Sequence, residues 1–180
     1  KIAISFKRDF LDAYYNMGIA YGSLEEAGVD VLDNALGALK QSVRLNADFI
    51  HGHIALGAAY IRKQDYESAL DALERAILIN SKDPNAHYYM GVVCRATKKF
   101  EKAAASLHNS VLLKPDSLQM QYFLGLVLID CEKFQRACDA LNEAVRIKPG
   151  FAEGHYMLGY VYLEKLFDVE KGVYHLSKAE

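Results

Sequence analysis

The sequence has few prolines, few cysteines and no long apolar run, and each shortage argues against a class of protein. Three prolines in 180 residues favour a helical chain over a loop-rich one. Three cysteines without a pairing pattern argue against a disulfide framework and indicate a reducing compartment, so we expect a cytoplasmic protein. No apolar run approaches the roughly 18 residues of a membrane span, so we expect no membrane span.

The chain also lacks an excess of charge of either sign. Its 21 Lys and Arg residues nearly balance 23 Asp and Glu residues, for a formal net charge of −2. Without a broad basic surface, binding to a nucleic acid backbone is not expected. A hydrophobic fraction of 52% argues against disorder, and 180 residues can bury a substantial core.

What the sequence does contain is an internal repeat. Its glycines recur at intervals of 34 residues, each after a large apolar residue, at Gly57, Gly91, Gly125 and Gly159, with Gly18 standing 39 before Gly57. A small residue follows 12 positions after three of these glycines, at Ala69, Ala103 and Ala137. A leucine column completes the pattern at Leu39, Leu73, Leu107, Leu141 and Leu176. Such a period indicates a repeat architecture.

Within each unit, apolar and small residues recur at steps of three and four, which predicts two helices joined by a short polar turn. The glycine is expected to let the second helix approach closely, with the alanine 12 positions later as the matching small face. A pair of short helices cannot bury its own faces, so neighbouring units must stack.

These columns resemble the tetratricopeptide repeat (TPR) family, whose unit carries a large residue, Gly and Tyr, then Ala, Leu or an aromatic residue, Ala, and a late Pro. The resemblance implies an all-α fold, a right-handed α-solenoid of stacked antiparallel helix pairs forming a single domain. The expected repeats are 11–49, 50–83, 84–117, 118–151 and 152–180, with residues 1–10 as the tail of a preceding repeat. The array is expected to extend in both directions.

Two units depart from the pattern. The first has five extra residues around 23–30, which predicts a longer first helix or a wider turn. The fifth has one extra residue near 166–168 and places Gly172 where an alanine is expected.

Catalytic and metal sites are not expected, and neither is a cofactor. His87 and Cys94 lie about 10 Å apart along one helix, which is too far for a nucleophile and its base. His53, His87 and His155 share one column, where we expect packing or groove lining rather than metal binding. No phosphate-binding loop, nucleophile elbow or zinc-binding helix is present.

The resemblance implies that first helices line a concave groove that binds an extended peptide or a partner helix. The places that face this groove in the family are the second, fifth, sixth, ninth, twelfth and thirteenth of each unit. At the fifth, sixth and ninth places, the groove is expected to be apolar and aromatic. The predicted partner-binding residues are Tyr15, Asn16, Ile54, Tyr88, Tyr89, Val92, Arg95, Tyr122, Phe123, Leu126, Tyr156, Met157 and Tyr160. Aromatic side chains there could bury an apolar partner or be partly buried by the solenoid itself.

Charged residues at these places are few. The Lys, Asn and Arg set with which chaperone adaptors of the family bind a C-terminal carboxylate is missing. A basic cluster is formed at the turn of the third unit by Arg95, Lys98, Lys99 and Lys102, with Lys133 in the fourth unit. It could meet an acidic partner or a phosphate, or simply be solvated.

The sequence therefore predicts a non-enzymatic adaptor or scaffold that binds a protein or peptide partner. Two alternatives stay open. The chain could be a self-associating assembly platform that forms homo-oligomers, or the regulatory array of a longer enzyme.

Overall fold

The computed structural model describes residues 2–22 and 29–179, which form ten α-helices and no strand. The predicted all-α fold is confirmed for this part of the chain. The helices are α1 (Ile2–Gly22), α2 (Val29–Leu45), α3 (Ile50–Arg62), α4 (Tyr66–Ile79), α5 (Pro84–Ala96), α6 (Phe100–Leu113), α7 (Leu118–Asp130), α8 (Phe134–Ile147), α9 (Ala152–Glu164) and α10 (Val169–Leu176).

The chain divides into two compact units, Lys1–Val93 and Cys94–Glu180. In the first unit, α1 packs on α2, α3 packs on α4, and α2 packs on α3. In the second, α7 packs on α8, α9 packs on α10, and the pairs α6–α7 and α8–α9 are also in contact. In each of these pairs a helix therefore packs on its neighbour in the chain, as in a solenoid. That both units form the single domain predicted from the sequence stays a prediction.

Short polar turns separate the two helices of a pair. In each of four turns, one residue other than glycine adopts a left-handed backbone conformation, with φ between 56° and 62°: Gln64, Lys98, Glu132 and Phe167. The amide after Lys98, that of Lys99, donates to the carbonyl of Cys94 at 2.8 Å, which closes the end of α5. The fifth unit has a four-residue turn between α9 and α10, where the second, third and fourth units have three, which locates its predicted extra residue.

Aspartate side chains cap several helices. Asp65 accepts a hydrogen bond from the amide of Ser68 (3.2 Å) and another from its hydroxyl (2.8 Å). These two bonds lower the pKa of Asp65 below its ordinary value. Asp168 caps α10 in the same way, through the amide of Lys171.

The repeated glycines lie where a leucine of the second helix crosses the first. A Cβ atom on Gly125 would lie 2.6 Å from Cγ of Leu141, and one on Gly159 would lie 2.7 Å from Leu176. The sequence predicted that the alanine 12 positions later would face the glycine. At Gly125 the backbone carbonyl of Ala137 lies 3.5 Å from an added Cβ, as predicted, while the nearest side chain belongs to the leucine column.

His53, His87 and His155, which share one place in the repeat, stabilise the turns between repeats through a side-chain hydrogen bond. In each case a side-chain nitrogen bonds to the backbone carbonyl six residues earlier, and Gln121 in the fourth repeat does the same. The pairs are His53 with Ala47 (2.9 Å), His87 with Ser81 (2.9 Å), Gln121 with Pro115 (3.0 Å) and His155 with Pro149 (3.0 Å). A carbonyl can only accept, so each Nε2 carries the hydrogen. This hydrogen bond adds a specific role to the predicted packing.

The N-terminal segment differs from expectation. Residues 2–22 form one continuous helix, whereas the repeat phase predicted the end of a second helix, a turn and a new helix. The reason lies in the sequence, since residues 7–12 contain no Gly, Pro or Asn that would end a helix, unlike the other boundaries. The predicted insertion at 23–30 falls mostly outside the described residues, which omit 23–28.

Candidate binding groove

A groove of about 480 Å³ runs over α3 in the first unit, between α1 and the first part of α5. Its lining is apolar and aromatic with a few polar side chains towards the margins. The lining residues are Tyr15, Gly18, Ile19, Leu39, His51, Ile54, Ala55, Ala58, Ala59, Arg62, Asn85 and Tyr89.

Small residues on α3 create the space. Ala55 and Ala58 occupy the sixth and ninth places of the second repeat, where the fourth and fifth repeats carry Phe123 and Tyr160. Because these two places carry only methyl groups, the groove contains the space that two large side chains would otherwise fill. The groove is therefore a consequence of a local change in an otherwise bulky pattern.

Two tyrosines form opposite walls. Tyr15 packs edge-to-face on Phe49, with ring centroids 5.1 Å apart, and this contact fixes the orientation of its ring. Burial raises the pKa of the Tyr15 hydroxyl above its ordinary value, and the nearby Tyr89 contributes to the same shift. Tyr15 is therefore a neutral hydrogen-bonding group in the physiological range and can bond a partner's backbone.

Of the six predicted partner-binding residues in the first unit, Tyr15, Ile54 and Tyr89 line the groove. The other three do not. Asn16 is exposed outside the groove, Val92 is half-buried, and Tyr88 is only 4% exposed. Tyr88 therefore packs in the core. Burial by the solenoid itself was one of the two roles that the sequence allowed for the aromatic residues.

Several lining residues were missed by the sequence analysis. His51 and Asn85 stand at the second place of their repeats and Arg62 at the thirteenth. These places also face the groove in the family pattern, so the repeat register already contained the signal. The two alanines gave no such signal, because a groove made by missing side chains is not marked by any conspicuous residue.

In the second unit, the predicted residues form part of a packed aromatic surface. Tyr122 contacts Phe151 edge-to-face at 5.0 Å and Phe123 at 6.2 Å. Met157 and Tyr160 pack against the core cluster around Leu158, and Leu126 is half-buried. Tyr156 is exposed over 57% of its surface. Burial raises the pKa of Tyr122, and the negative charge of Glu153 adds to this.

The predicted basic cluster is partly neutralised by carboxylates. Arg95 donates from Nε to Asp130 at 2.6 Å, and Lys133 pairs with Glu101 at 2.7 Å. A depression of about 530 Å³ beside these turns has lysines and carboxylates intermixed, namely Lys98, Lys99, Lys102, Glu101, Asp130 and Glu132, together with Phe100 and Cys131. Its charges are mixed rather than basic.

Reactive chemistry has little support in this structure. Among residues 2–22 and 29–179, no three His, Cys, Asp or Glu side chains are grouped so that they could hold a metal. Burial raises the pKa of the Cys131 and Cys138 thiols, which disfavours the nucleophilic thiolate. No helix in the described ranges is long and apolar enough to cross a membrane.

Known structures resemble this fold throughout. MamA from Desulfovibrio magneticus RS-1 (residues 41 to the end) superimposes with a TM-score of 0.81 at 22% identity, covering 95% of this chain and 93% of MamA. YrrB, described as a TPR protein with an unusual peptide-binding site, has a TM-score of 0.73 at 23% identity, covering 92% and 82%. No curated protein sequence matches the chain.

Family models agree with the structural likeness. A model described as "TPR repeat" matches residues 57–94, and one described as "Tetratricopeptide repeat" matches residues 99–152. Together they span just over half of the chain, and both describe repeats rather than a catalytic domain. The helix pairs, the repeated glycines and these matches agree, and the chain belongs to the tetratricopeptide repeat family.

Proposed function

We propose that this chain is a non-enzymatic adaptor that holds a segment of a partner protein in the groove over α3. A large apolar side chain of the partner fills the space above Ala55 and Ala58. The partner backbone lies between Tyr15 and Tyr89, whose hydroxyl groups are available for hydrogen bonds.

The groove itself is the observation that carries this proposal. Its volume of about 480 Å³ is typical of binding pockets and suits one or two large apolar side chains. Its lining includes the rings of Tyr15 and Tyr89 and the alanines of α3, and besides the two tyrosine hydroxyls its polar side chains are His51, Arg62 and Asn85. Such an arrangement buries an apolar anchor while the rim bonds the flanking backbone.

Family membership supports the same function, because tetratricopeptide repeats are in general interaction modules. The peptide-binding site in the description of YrrB is one case within this fold. The aromatic surface of the second unit, with Tyr122, Phe123 and Tyr156, is proposed as a further contact for a longer partner. We also propose a reducing, cytoplasmic location, which suits the three cysteines present as thiols, and no role in nucleic acid binding.

A test can use peptides selected by the chain itself from a random 12-residue display library. Ala58→Tyr and Ala55→Phe would fill the groove with side chains that the fold already accepts at the equivalent places, as Tyr160 and Phe123. We expect each variant to bind the selected peptide at least about tenfold more weakly than the unmodified chain, and peptides with Leu, Ile, Phe or Trp anchors to predominate.

The matched control is Ala105→Tyr, which adds the same side chain at an exposed position on α6. It should leave affinity unchanged, and all three variants should keep the helical circular dichroism signal. Equal affinity in the groove-filling variants and the control would refute the groove as the binding site.

Self-association is the second candidate function, and one observation favours it. Four large apolar side chains on and beside α10 are exposed over more than half of their surface: Phe167 (81%), Val169 (63%), Val173 (57%) and Tyr174 (55%). A surface of this kind can join copies of a chain. Light scattering over a hundredfold concentration range would show a rise in mass, and Val173→Lys should abolish it. A constant monomer mass would eliminate this candidate.

A further inference from the structure

Two buried histidines face each other between the last two helices. Nδ1 of His155 on α9 lies 3.0 Å from Nδ1 of His175 on α10, and the two residues are 6% and 8% exposed. The opposite nitrogen of His155, Nε2, bonds to the carbonyl of Pro149 at 3.0 Å. Neither contact belongs to the groove.

The hydrogen-bond partners determine the tautomers. Because the Pro149 carbonyl only accepts, His155 carries its hydrogen on Nε2, and its Nδ1 has a lone pair. The short contact between the two Nδ1 atoms then requires that His175 donates from Nδ1. The chain of donors runs from His175 to His155 and on to Pro149, and it holds both rings in place.

The pair is flanked by aromatic rings. From α9, Tyr162 stacks on His175 with an interplanar angle of 9° and centroids 5.7 Å apart, and from α10, Tyr174 lies edge-on at 5.1 Å. The nearby cation Lys171 lies over the Tyr162 ring and pairs with Asp168 at 2.8 Å. On the far side, Cys138 and Asn142 of α8 bond to the Tyr162 hydroxyl. Among the described residues, no carboxylate bonds to either imidazole.

Close packing joins α10 to α9 beside the histidine contact. A Cβ atom on Gly172 would overlap the side chain of Leu163 on α9, so glycine is needed at the place where the repeat pattern predicts alanine. The helix is only eight residues long, and α9 is the helix of this unit on which it packs. Besides the histidine contact, Lys171 lies over the Tyr162 ring of α9, and Leu176 packs on Gly159.

We propose that the His155–His175 pair is an acid-sensitive latch that holds α10 on α9 and releases it as the pH falls below the ordinary titration range of histidine. In the closed state, the pair accepts at most one extra proton, because a second would place two N–H groups against each other at 3.0 Å. In the open state, each imidazole accepts one proton with an ordinary pKa of about 6.5.

The direction in which pH shifts the opening of α10 follows from the number of protons that each state binds. Burial lowers the pKa of His175, and the neighbouring His155 lowers it further. A group with a lowered pKa in the folded state stabilises that state above its unfolded pKa, and this stabilisation is lost as the pH falls. The open form binds more protons than the closed form, so the equilibrium constant for opening should rise at least about fivefold between pH 6 and pH 5.

Hydrogen–deuterium exchange of the whole chain, corrected for intrinsic exchange rates, tests the proposal. Protection of α10 amides should fall at least about fivefold between pH 6 and pH 5, while amides of α3 and α4 keep theirs. In the double variant H155Q/H175Q the change should be less than about twofold, because the pair no longer titrates. Gln at position 155 can keep the bond to Pro149, as Gln121 does to Pro115 in the preceding repeat.

The double variant could fail to pack α10 on α9 at neutral pH, and the single variant H155Q is then measured instead. In H155Q, the loss of α10 protection with falling pH should be weaker than in the unmodified chain. His87→Gln, in the same column without a second histidine, should behave like the unmodified chain. The latch is overturned if α10 keeps its protection at pH 5, if H155Q loses it as steeply as the unmodified chain, or if α3 and α4 open together with α10. Independent titration of both rings near pH 6.5 in NMR spectra would equally overturn it.

Discussion

Gly57 on α3 and Leu73 on α4 are packed so closely that a Cβ atom on the glycine would lie 2.5 Å from Cγ of the leucine. Leu73 is fully buried and cannot move aside. The pair explains why glycine recurs in the interior of these helices, where its helix propensity is poor. The position is selected by contact with the second helix rather than by backbone conformation.

Gly57→Ala should therefore lower the free energy of unfolding by about 1–3 kcal/mol, because an added methyl group forces the two helices apart. Gly37→Ala is the matched control, since Gly37 lies on an exposed face of α2 with no atom within 4 Å of an added Cβ. It should raise the free energy of unfolding by about 0.5–1 kcal/mol through helix propensity alone. Urea denaturation measures both, and changes of the same sign would contradict the close-contact explanation.

A second prediction concerns the left-handed turn residue Lys98, whose φ is 59°. Lys98→Gly should stabilise the chain by about 0.5–1 kcal/mol, because glycine has no side chain to strain this conformation. Lys98→Ala should change the free energy of unfolding by less than about 0.5 kcal/mol, since alanine has the same Cβ as lysine. If glycine and alanine have equal effects in thermal or urea denaturation, the turn conformation is not limiting.

A third prediction tests the side-chain bond that fastens the turns between repeats. Gln121→Leu removes the bond to Pro115 and should cost about 1 kcal/mol. Gln121→His should be tolerated within about 0.5 kcal/mol, because histidine makes the same bond at the equivalent places of the second and fifth repeats. Denaturation midpoints of the two variants measure the difference. If Gln121→His destabilised the chain as much as Gln121→Leu, the side chains at this place would contribute through packing alone.

The repeat could be read from the sequence because close helix crossings demand glycine and leucine at fixed intervals. For the same reason, α3, α5, α7 and α9 begin at Ile50, Pro84, Leu118 and Ala152, where the sequence predicts new repeats. The groove could not be located in this way. Its space depends on the large side chains that Ala55 and Ala58 lack, whereas the predicted binding residues are mainly aromatic.

The histidine pair could not be predicted from the sequence for a different reason. His155 belongs to a periodic column, but His175 has no counterpart in the other repeats, and 20 residues separate the two. Only the packing of α10 on α9 brings them together. A contact that occurs only once in a repeat protein leaves no periodic signal in the sequence. Such a contact can give one repeat a property that the neighbouring repeats do not have.

The last prediction concerns Arg95, a predicted partner-binding residue whose Nε lies 2.6 Å from the Asp130 carboxylate. Both side chains are about one-third exposed (36% and 27%), so water weakens their attraction without removing it. A double-mutant cycle with Arg95→Gln and Asp130→Asn should give a coupling energy of about 0.5–1 kcal/mol, measured by urea denaturation and reduced in 1 M salt.

The same variants separate a structural role from a binding role. If Arg95 stabilises its own unit, Arg95→Gln should lower stability and leave the affinity for a selected peptide unchanged within about twofold. A zero coupling energy, together with a loss of affinity of tenfold or more, would instead show that the guanidinium group engages the partner. In that case Asp130 would not restrain the guanidinium group, and Asp130→Asn should leave the affinity unchanged.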